Sequence, residues 1–153
     1  MSNYRLSKYR PDVSSHDEWT SVSDIGRTHG GEALTHEAYL RVESLYLDAI
    51  ADFIALADVA GLNATDVEQV PAGDIAALAD ADGLLAGDTL REVARKVLRE
   101  ELWCRLAGAK GTYVHFGYDY IVYLGSDAVS DWLPPAGLYA EPMPSPHARI
   151  SGE

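Results

Sequence analysis

The strongest β-strand signal in the chain is the segment TYVHFGYDYIVYL, residues 112–124. Aromatic and β-branched residues, which pack well on a pleated sheet, fill both halves of this segment. Gly117-Tyr118-Asp119 separates the halves and is typical of a tight connection. The segment therefore predicts two antiparallel strands joined as a hairpin.

A long amphipathic helix is predicted upstream of the hairpin, from Leu34 to about Ala60. Its apolar residues recur every three or four positions, which is the spacing of one buried helical stripe. Thr35 suits the N-cap because its hydroxyl can accept a backbone N–H of the first turn. Gly61 is expected to end the helix, since glycine readily adopts the left-handed conformation of a helix stop.

A second helix is predicted to begin at Asp88 or Thr89 and to run to about Leu106. Its apolar stripe continues through Leu102 to Leu106, opposite a face rich in arginine. Cys104 lies late in this helix, where the helix dipole disfavours a thiolate. The sequence therefore predicts that Cys104 is a packed structural thiol.

The remaining segments complete an α+β prediction, with two main helices packed on a small, mostly antiparallel sheet. A single domain is expected, because 153 residues fit the usual domain size of about 100–200 residues. Its parts are an irregular N-terminal arm (1–34), an α+β core (35–141) and an extended proline-rich tail (142–153). Short elements are predicted as an edge strand around Tyr4, Leu6 and Tyr9, strands at 63–70 and 137–141, and one or two helical turns at 74–78.

Composition argues against several classes of protein. No run approaches the roughly 18 apolar residues of a membrane helix, and no apolar block follows the first basic residues as it would in a secretory signal. The single Cys104 excludes an intramolecular disulfide and a cysteine-rich metal site. The 24 acidic against 12 basic side chains argue against nucleic acid as a direct ligand. We expect a cytoplasmic protein, either a monomer or a weak homodimer.

The negative charge is concentrated in the middle of the chain. Between Val42 and Leu90 there are ten acidic side chains and no Lys, Arg or His. Such a block is either a solvated face that keeps the protein soluble or a docking face for a basic partner, because a field of one sign speeds encounter with an opposite one. Charge alone leaves both interpretations open.

No catalytic, cofactor or metal motif emerges from the sequence. The glycine patterns that bind phosphate are absent. If the run DADG at 80–83 belonged to a calcium loop, the first and last ligands would be Leu78 and Thr89, and neither is a carboxylate. No two histidines have the helical spacing of a metal-binding pair. We therefore expect neither a metal ion nor a cofactor.

His115 is the one histidine on a predicted strand, and it alternates with apolar neighbours. It is therefore expected on the exposed surface of the sheet. One alternative function is a small hydrolase that uses His115 and Asp119 with an N-terminal carboxylate, Asp17 or Glu18. The other interpretation of Asp17-Glu18-Trp19 is a structural latch, in which Trp19 covers the edge of the core and the carboxylates accept nearby backbone N–H groups.

Four strings of sequence carry a resemblance to a known family. They are YRLSKYRP (4–11), DEWTSVSDIG (17–26), REELWC (99–104) and YVHFGYDY (113–120). Together they resemble a widespread family of small acidic bacterial proteins whose members are uncharacterised or predicted to be immunity proteins of polymorphic-toxin systems. The resemblance spans nearly the whole chain, and it transfers no active-site residue.

The resemblance implies a protein that binds and neutralises a cognate protein toxin by stoichiometric docking, without chemistry of its own. The acidic block suits a basic toxin. A structural or regulatory subunit that pairs through the tyrosine-rich sheet is a further alternative. The residues expected to contact the partner are the acids of short, turn-rich segments, Asp66, Glu68, Asp74, Asp80 and Asp82, and then Tyr118 and Asp119 at the hairpin turn.

Overall fold

The computed structural model of the chain describes residues 1–11 and 18–147. Its elements in chain order are β1 (Ser2–Ser7), a 3-10 turn (Val22–Asp24), β2 (Thr28–His29), β3 (Glu32–Ala33), α1 (His36–Ala57), β4 (Asn63–Glu68), α2 (Ala72–Ala76), α3 (Gly87–Leu98), β5 (Trp103–Ala107), β6 (Tyr113–Phe116), β7 (Val122–Ser126) and β8 (Tyr139–Pro142). Six strands form one sheet in the order β4-β5-β6-β7-β1-β8, and β2 pairs with β3. All these pairings are antiparallel. The α+β class is confirmed, but the sheet is larger than the small one predicted.

The helices α1 and α3 pack against each other, and α1 also contacts β7. Tyr4 on β1 lies edge-on to Phe53 of α1, which shows that this side of the sheet faces the helices. The strand register places Tyr4, Leu124 and Val114 in one row across the sheet, and the last two are fully buried. We call this side the inner face. The outer face carries the side chains that alternate with these, including His115.

The first helix begins as predicted and ends earlier. The Thr35 hydroxyl accepts the backbone N–H of Ala38 at 3.1 Å, so Thr35 is the N-cap. The helix ends at Asp58, which takes the left-handed conformation with φ of 55°. Gly61 was predicted to supply this stop, and that prediction is wrong because Asp58, another residue type that tolerates positive φ, comes first.

The predicted second helix is in reality a helix followed by a strand. The helix α3 starts at Gly87 and ends at Leu98, and residues Trp103–Ala107 form β5. Leu102, Cys104 and Leu106 are all buried, so the apolar side chains alternate with period two. A spacing of four, as between Leu102 and Leu106, fits both a helix and a strand, and this ambiguity made the prediction wrong.

The N-terminal arm is more regular than predicted. Strand β1 is not an edge strand, because it pairs with β7 on one side and with β8 on the other. The following segment contains the 3-10 turn and the β2–β3 hairpin. Asp17, the first residue of the predicted latch, lies outside the described residues.

The chain after β8 crosses the outer face of the sheet. Residues 143–147, which we call the C-terminal strap, start with a hydrogen bond from the N–H of Met143 to the carbonyl of Asn3 at 3.0 Å. The strap covers Tyr113 and His115, and both are buried. Gly125 makes room for this arrangement, since a Cβ atom there would stand 2.3 Å from the Tyr113 ring. The rest of the predicted tail, 148–153, lies outside the described residues.

Among the described residues, no helix is both long enough and apolar enough to cross a membrane.

Candidate functional site

An open cleft of about 560 Å3 lies where the ends of β4 and α3 meet the β6–β7 turn. We call it the acidic cleft. Its apolar lining comes from three elements and the turn, in the form of Val97, Leu98, Leu102, Trp103, Phe116 and Ile121. The Trp103 indole N–H donates to the carbonyl of Phe116 at 3.1 Å. This bond fixes the indole against the start of the turn, so the lining has a defined shape.

Three carboxylates surround this apolar lining, those of Glu68, Glu100 and Asp119. All three residues are exposed, and none forms an ion pair with the described residues. Among the described residues that line the cleft there is no Lys or Arg, and His147 is the one histidine. Burial, together with the charge of Arg105, lowers the pKa of His147, so its ring is neutral at pH 7. The cleft therefore carries a net negative charge at neutral pH.

Left-handed backbone is concentrated around the acidic cleft. Gln69, Glu100, Asp119 and Tyr120 all line it, and each has a positive φ between 59° and 76°. Such conformations cost residues other than glycine of the order of 1 kcal/mol each and cluster at functional sites.

Hydrogen bonds to the rest of the fold hold this strained rim in place. The Gln69 side chain donates to the carbonyl of Glu100 at 3.0 Å. The Tyr9 hydroxyl donates to the carbonyl of Asp119 at 2.7 Å, and the Tyr120 hydroxyl donates to the hydroxyl of Tyr39 at 3.0 Å. The rim is thus fixed before any ligand arrives.

Tyr118 stands at the tip of the β6–β7 turn and is 88% exposed. The other tyrosines of the segment 113–123 behave differently, since Tyr113 and Tyr120 are buried and Tyr123 is half-buried. Tyr118 therefore offers its ring at the mouth of the cleft without a structural role in the core.

The five acidic residues predicted to contact the partner lie on one continuous stretch of the chain. Residues 62–85, which we call the acidic lobe, start at Leu62, include one edge strand of the sheet and end at Leu85. Those two residues exchange backbone hydrogen bonds of 2.9 and 2.8 Å. The lobe contains β4 and α2 and has five acidic and no basic side chains. All five are exposed, and they are Asp66, Glu68, Asp74, Asp80 and Asp82.

The structure gives these acids different surroundings. Glu68 alone joins Tyr118 and Asp119 in the lining of the acidic cleft. Asp66 pairs with Arg105 at 3.4 Å. One carboxylate oxygen of Asp80 accepts the backbone N–H groups of Asp82 and Leu84, at 2.9 and 3.0 Å. Asp80 therefore holds the lobe's loop in shape, whereas Asp74 and Asp82 have no such bond among the described residues.

One acid of the central block is not a surface charge. Glu43 on α1 is only 2% exposed. Arg99 grips its carboxylate with two hydrogen bonds of 2.7 and 2.8 Å, and Arg95 adds a third of 3.2 Å. Burial alone would raise the pKa of Glu43, but the hydrogen bonds from Arg99, Tyr39 and Arg95 outweigh it and lower the pKa. The signal was readable, since Glu43 falls four residues after Tyr39, on the buried stripe of the helix.

Other acids of the block also have basic partners outside it. Asp48 pairs with Arg91 at 2.9 Å, and Asp58 pairs with Lys110 at 3.7 Å. With Glu43 and Asp66, four of the ten acids are therefore paired. Six acids of the block have no ion pair with the described residues, and four of them, Glu68, Asp74, Asp80 and Asp82, belong to the acidic lobe.

His115 faces away from the core, as predicted, but it is not exposed. Its Nδ1 lies 2.9 Å from the Ser145 hydroxyl of the C-terminal strap, and its ring stacks on Tyr113 at 4.6 Å. Only 5% of its surface is accessible. Burial, together with the charges of Arg105 and His147, lowers the pKa of His115 from 6.5 to about 4.

The residues of the hydrolase alternative are not assembled into one cavity. Asp119 lines the acidic cleft and His115 does not. Glu18 pairs with Lys8 at 3.4 Å, and Asp17 lies outside the described residues. The distance between the Ser145 hydroxyl and His115 would suit an activated serine, but both side chains are buried.

The remaining candidates have structural surroundings. Trp19 packs against Tyr39 and Tyr120, as expected of a latch. The carboxylate that accepts the nearby N–H groups is Asp24, which bonds those of Thr20 and Ser21 at 2.8 and 3.3 Å, and this function was not assigned from the sequence.

Cys104 lies on β5 and not in a helix. It is fully buried, and burial raises the pKa of its thiol to about 12. No group of three or more His, Cys, Asp or Glu side chains within residues 1–11 and 18–147 is placed to hold a metal ion.

Comparisons of the chain with family models, with curated proteins and with solved structures find no match.

Proposed function

We propose that the chain is an immunity-type protein that neutralises a basic protein toxin by binding it in a one-to-one complex. The acidic lobe and the acidic cleft together form the docking surface. The proposal is supported by the resemblance of the sequence, by the distribution of charge and by the geometry of the cleft. It needs no reaction at the surface of the chain.

The observation that carries the proposal is the meeting of Glu68, Tyr118 and Asp119 around one cleft. Glu68 belongs to the edge strand of the acidic lobe, and the other two belong to the hairpin turn, far away in sequence. An exposed tyrosine next to unpaired carboxylates is the composition of a protein-binding surface, because tyrosine combines a large contact area with a polar tip.

The charge of the acidic lobe sets the class of partner. With five acidic and no basic side chains, its field attracts basic proteins and repels acidic ones. Such a field raises the rate of association with a partner of opposite charge by about 10- to 1,000-fold. Toxins that act on nucleic acids bind phosphates through Lys and Arg, and an acidic lobe placed over that basic surface would block it.

The test is capture followed by rescue. The tagged chain is used to capture partners from a lysate of the cells that carry its gene, and bound protein is eluted with a salt gradient. The captured polypeptide is then expressed alone and together with the chain. We expect a basic polypeptide that arrests growth alone and is harmless in the presence of the chain.

Two matched variants locate the interface. D74K/D82K reverses two charges of the acidic lobe that make no described hydrogen bond, whereas D52K/D131K makes the same change in charge elsewhere on the surface. Rescue should fail with D74K/D82K and persist with D52K/D131K. A captured polypeptide that does not arrest growth, or rescue by both variants alike, contradicts the proposal.

A further inference from the structure

We propose that the acidic cleft is a socket for an arginine side chain that the basic protein partner presents. This inference rests on the proposed function and adds to it a single anchoring contact. It concerns the residues of the cleft rather than the whole acidic lobe, so it can fail while the docking function stands.

Charge complementarity indicates a cation as the occupant. The carboxylates of Glu68, Glu100 and Asp119 line the cleft, and within residues 1–11 and 18–147 no Lys or Arg does. No ion pair of the described residues engages these carboxylates. The last turn of α3 contributes Val97 and Leu98 to the lining, so the negative end of the helix dipole points toward the same space. A cation that enters the cleft meets four negative features, and the nearby guanidinium of Arg105, beside the Trp103 ring, is paired with Asp66 at 3.4 Å.

The apolar lining selects among cations. Leu102, Trp103 and Phe116 offer a surface on which the hydrocarbon stem of a long side chain can lie. A guanidinium is planar, weakly hydrated and forked, so it stacks on aromatic rings and binds carboxylates through two hydrogen bonds at once. The structure contains an internal example, since the guanidinium carbon of Arg105 lies 5.8 Å from the centre of the Trp103 ring.

The size and rigidity of the cleft fit an anchoring side chain. Its volume of about 560 Å3 exceeds that of one side chain, so an arginine can enter without displacing the lining. The hydrogen bonds from Tyr9 to Asp119 and from Gln69 to Glu100 hold two of the carboxylate-bearing residues in left-handed backbone. Because the rim is already ordered, the cleft itself loses little conformational entropy when an arginine binds.

The test uses short peptides on the purified full-length chain. The probes are acetyl-Gly-Ser-Arg-Ser-Gly-amide and the same peptide with citrulline, which has the shape of arginine without its charge. Binding is followed by two-dimensional NMR, in which the indole N–H of Trp103 reports the cleft and that of Trp132 serves as an internal reference. We expect the arginine peptide to shift Trp103 and the amides of Tyr118 and Asp119, with a dissociation constant in the millimolar range typical of one anchor.

A matched pair of triple variants assigns the effect. E68Q/E100Q/D119N removes the three carboxylates of the cleft, and Asn at position 119 tolerates the left-handed backbone. D52N/D74N/D82N removes three charges elsewhere. The first variant should weaken binding of the arginine peptide at least tenfold, and the second should change it less than twofold. Thermal unfolding confirms that both variants are folded.

Three results would overturn the socket. The first is equal binding of the citrulline peptide, the second is the absence of any shift at Trp103, and the third is guanidinium chloride matching the affinity of the peptide, which would indicate a site for small free cations. Failure of the proposed function is seen separately, because the rescue experiment depends on Asp74 and Asp82, which do not line the cleft.

Discussion

Glu43 shows how a single residue can mislead a count of surface charges. Its carboxylate is buried between α1 and α3 and accepts hydrogen bonds from Arg95 of α3 and from Arg99, the C-cap of that helix. Burying a carboxylate is costly unless hydrogen bonds replace its water, and the bidentate contact with Arg99 does so. The carboxylate therefore joins two helices and does not add to the negative field of the proposed docking surface.

Substitution of Glu43 should destabilise the fold. E43Q removes the charge while keeping the size, so Arg95 and Arg99 lose their counter-ion in a half-buried setting. We expect the free energy of unfolding to fall by about 2 kcal/mol, measured by urea denaturation. The control D52N changes an exposed acid of the same helix and should alter the value by less than about 0.5 kcal/mol. Equal effects of the two substitutions would show that the contacts of Glu43 with Arg95 and Arg99 do not stabilise the fold.

His115 should make the stability of the protein depend on pH. The folded chain keeps the ring neutral down to a pKa of about 4, whereas in the unfolded chain it takes up a proton below pH 6.5. The unfolded state therefore binds more protons between these values, and the stabilising contribution is lost as the pH falls from 6.5 towards 4.

We expect the free energy of unfolding to drop by about 2 kcal/mol between pH 7 and pH 5, a range above the titration of Glu43 and Asp24. Chemical denaturation at each pH measures it. H115Q should flatten this slope, while H36Q, which alters an exposed histidine, should keep it. A wild-type slope in H115Q would assign the pH dependence to another group.

At the scale of elements, the acidic lobe depends on its own backbone contacts. The Leu62–Leu85 bridge closes its base, and the carboxylate of Asp80 shapes the loop before that bridge. Asp80 and Asp82 are two residues apart and carry the same charge, yet only the side chain of Asp80 accepts backbone hydrogen bonds within the loop.

D80A should therefore loosen the loop while D82A should not. In D80A the amides of Asp82 and Leu84 lose their acceptor, and we expect them to exchange hydrogen with solvent about tenfold faster. D82A removes the same charge and should leave both rates unchanged, and hydrogen exchange followed by NMR measures them. Acceleration in both variants would mean that charge, and not the Asp80 hydrogen bonds, controls the loop.

The elements that local sequence determines were predicted well. The Thr35 cap, the 112–124 hairpin and the strand after residue 63 follow from short-range patterns. The errors arose where contacts with distant parts of the chain determine the secondary structure or the strand order. A spacing of four cannot distinguish the strand β5 from an extension of α3, and the interior position of β1 depends on β8, which lies at the other end of the sequence.

The candidate site was predictable only in its parts. Glu68, Tyr118 and Asp119 were each singled out from sequence, but their meeting around one cleft depends on the strand order β4-β5-β6-β7. Glu100 was missed, since it was placed inside a helix that in fact ends before it. The Ser145–His115 contact was missed because the tail was expected to lie on the surface without a defined partner.

At the scale of the whole molecule, paired and unpaired acids lie in different regions. Strands β1 and β5 to β8, α1 and α3 form a body in which Glu43, Asp48 and Asp58 are paired with bases. In the acidic lobe, by contrast, four of the five acids have no ion pair with the described residues. The acidic cleft lies where the lobe meets the hairpin turn. A basic partner would therefore be attracted first by the lobe and then anchored at the cleft.

The central claim is tested most directly by the association rate of the captured partner, measured by stopped flow at increasing salt for the wild type, D74K/D82K and D52K/D131K. We predict that the wild type and D52K/D131K associate fast at low salt and slow down steeply as salt screens the lobe. D74K/D82K should associate at least about tenfold more slowly at low salt, with a shallow salt dependence. Equal rates and equal salt slopes for all three proteins would contradict docking through the acidic lobe.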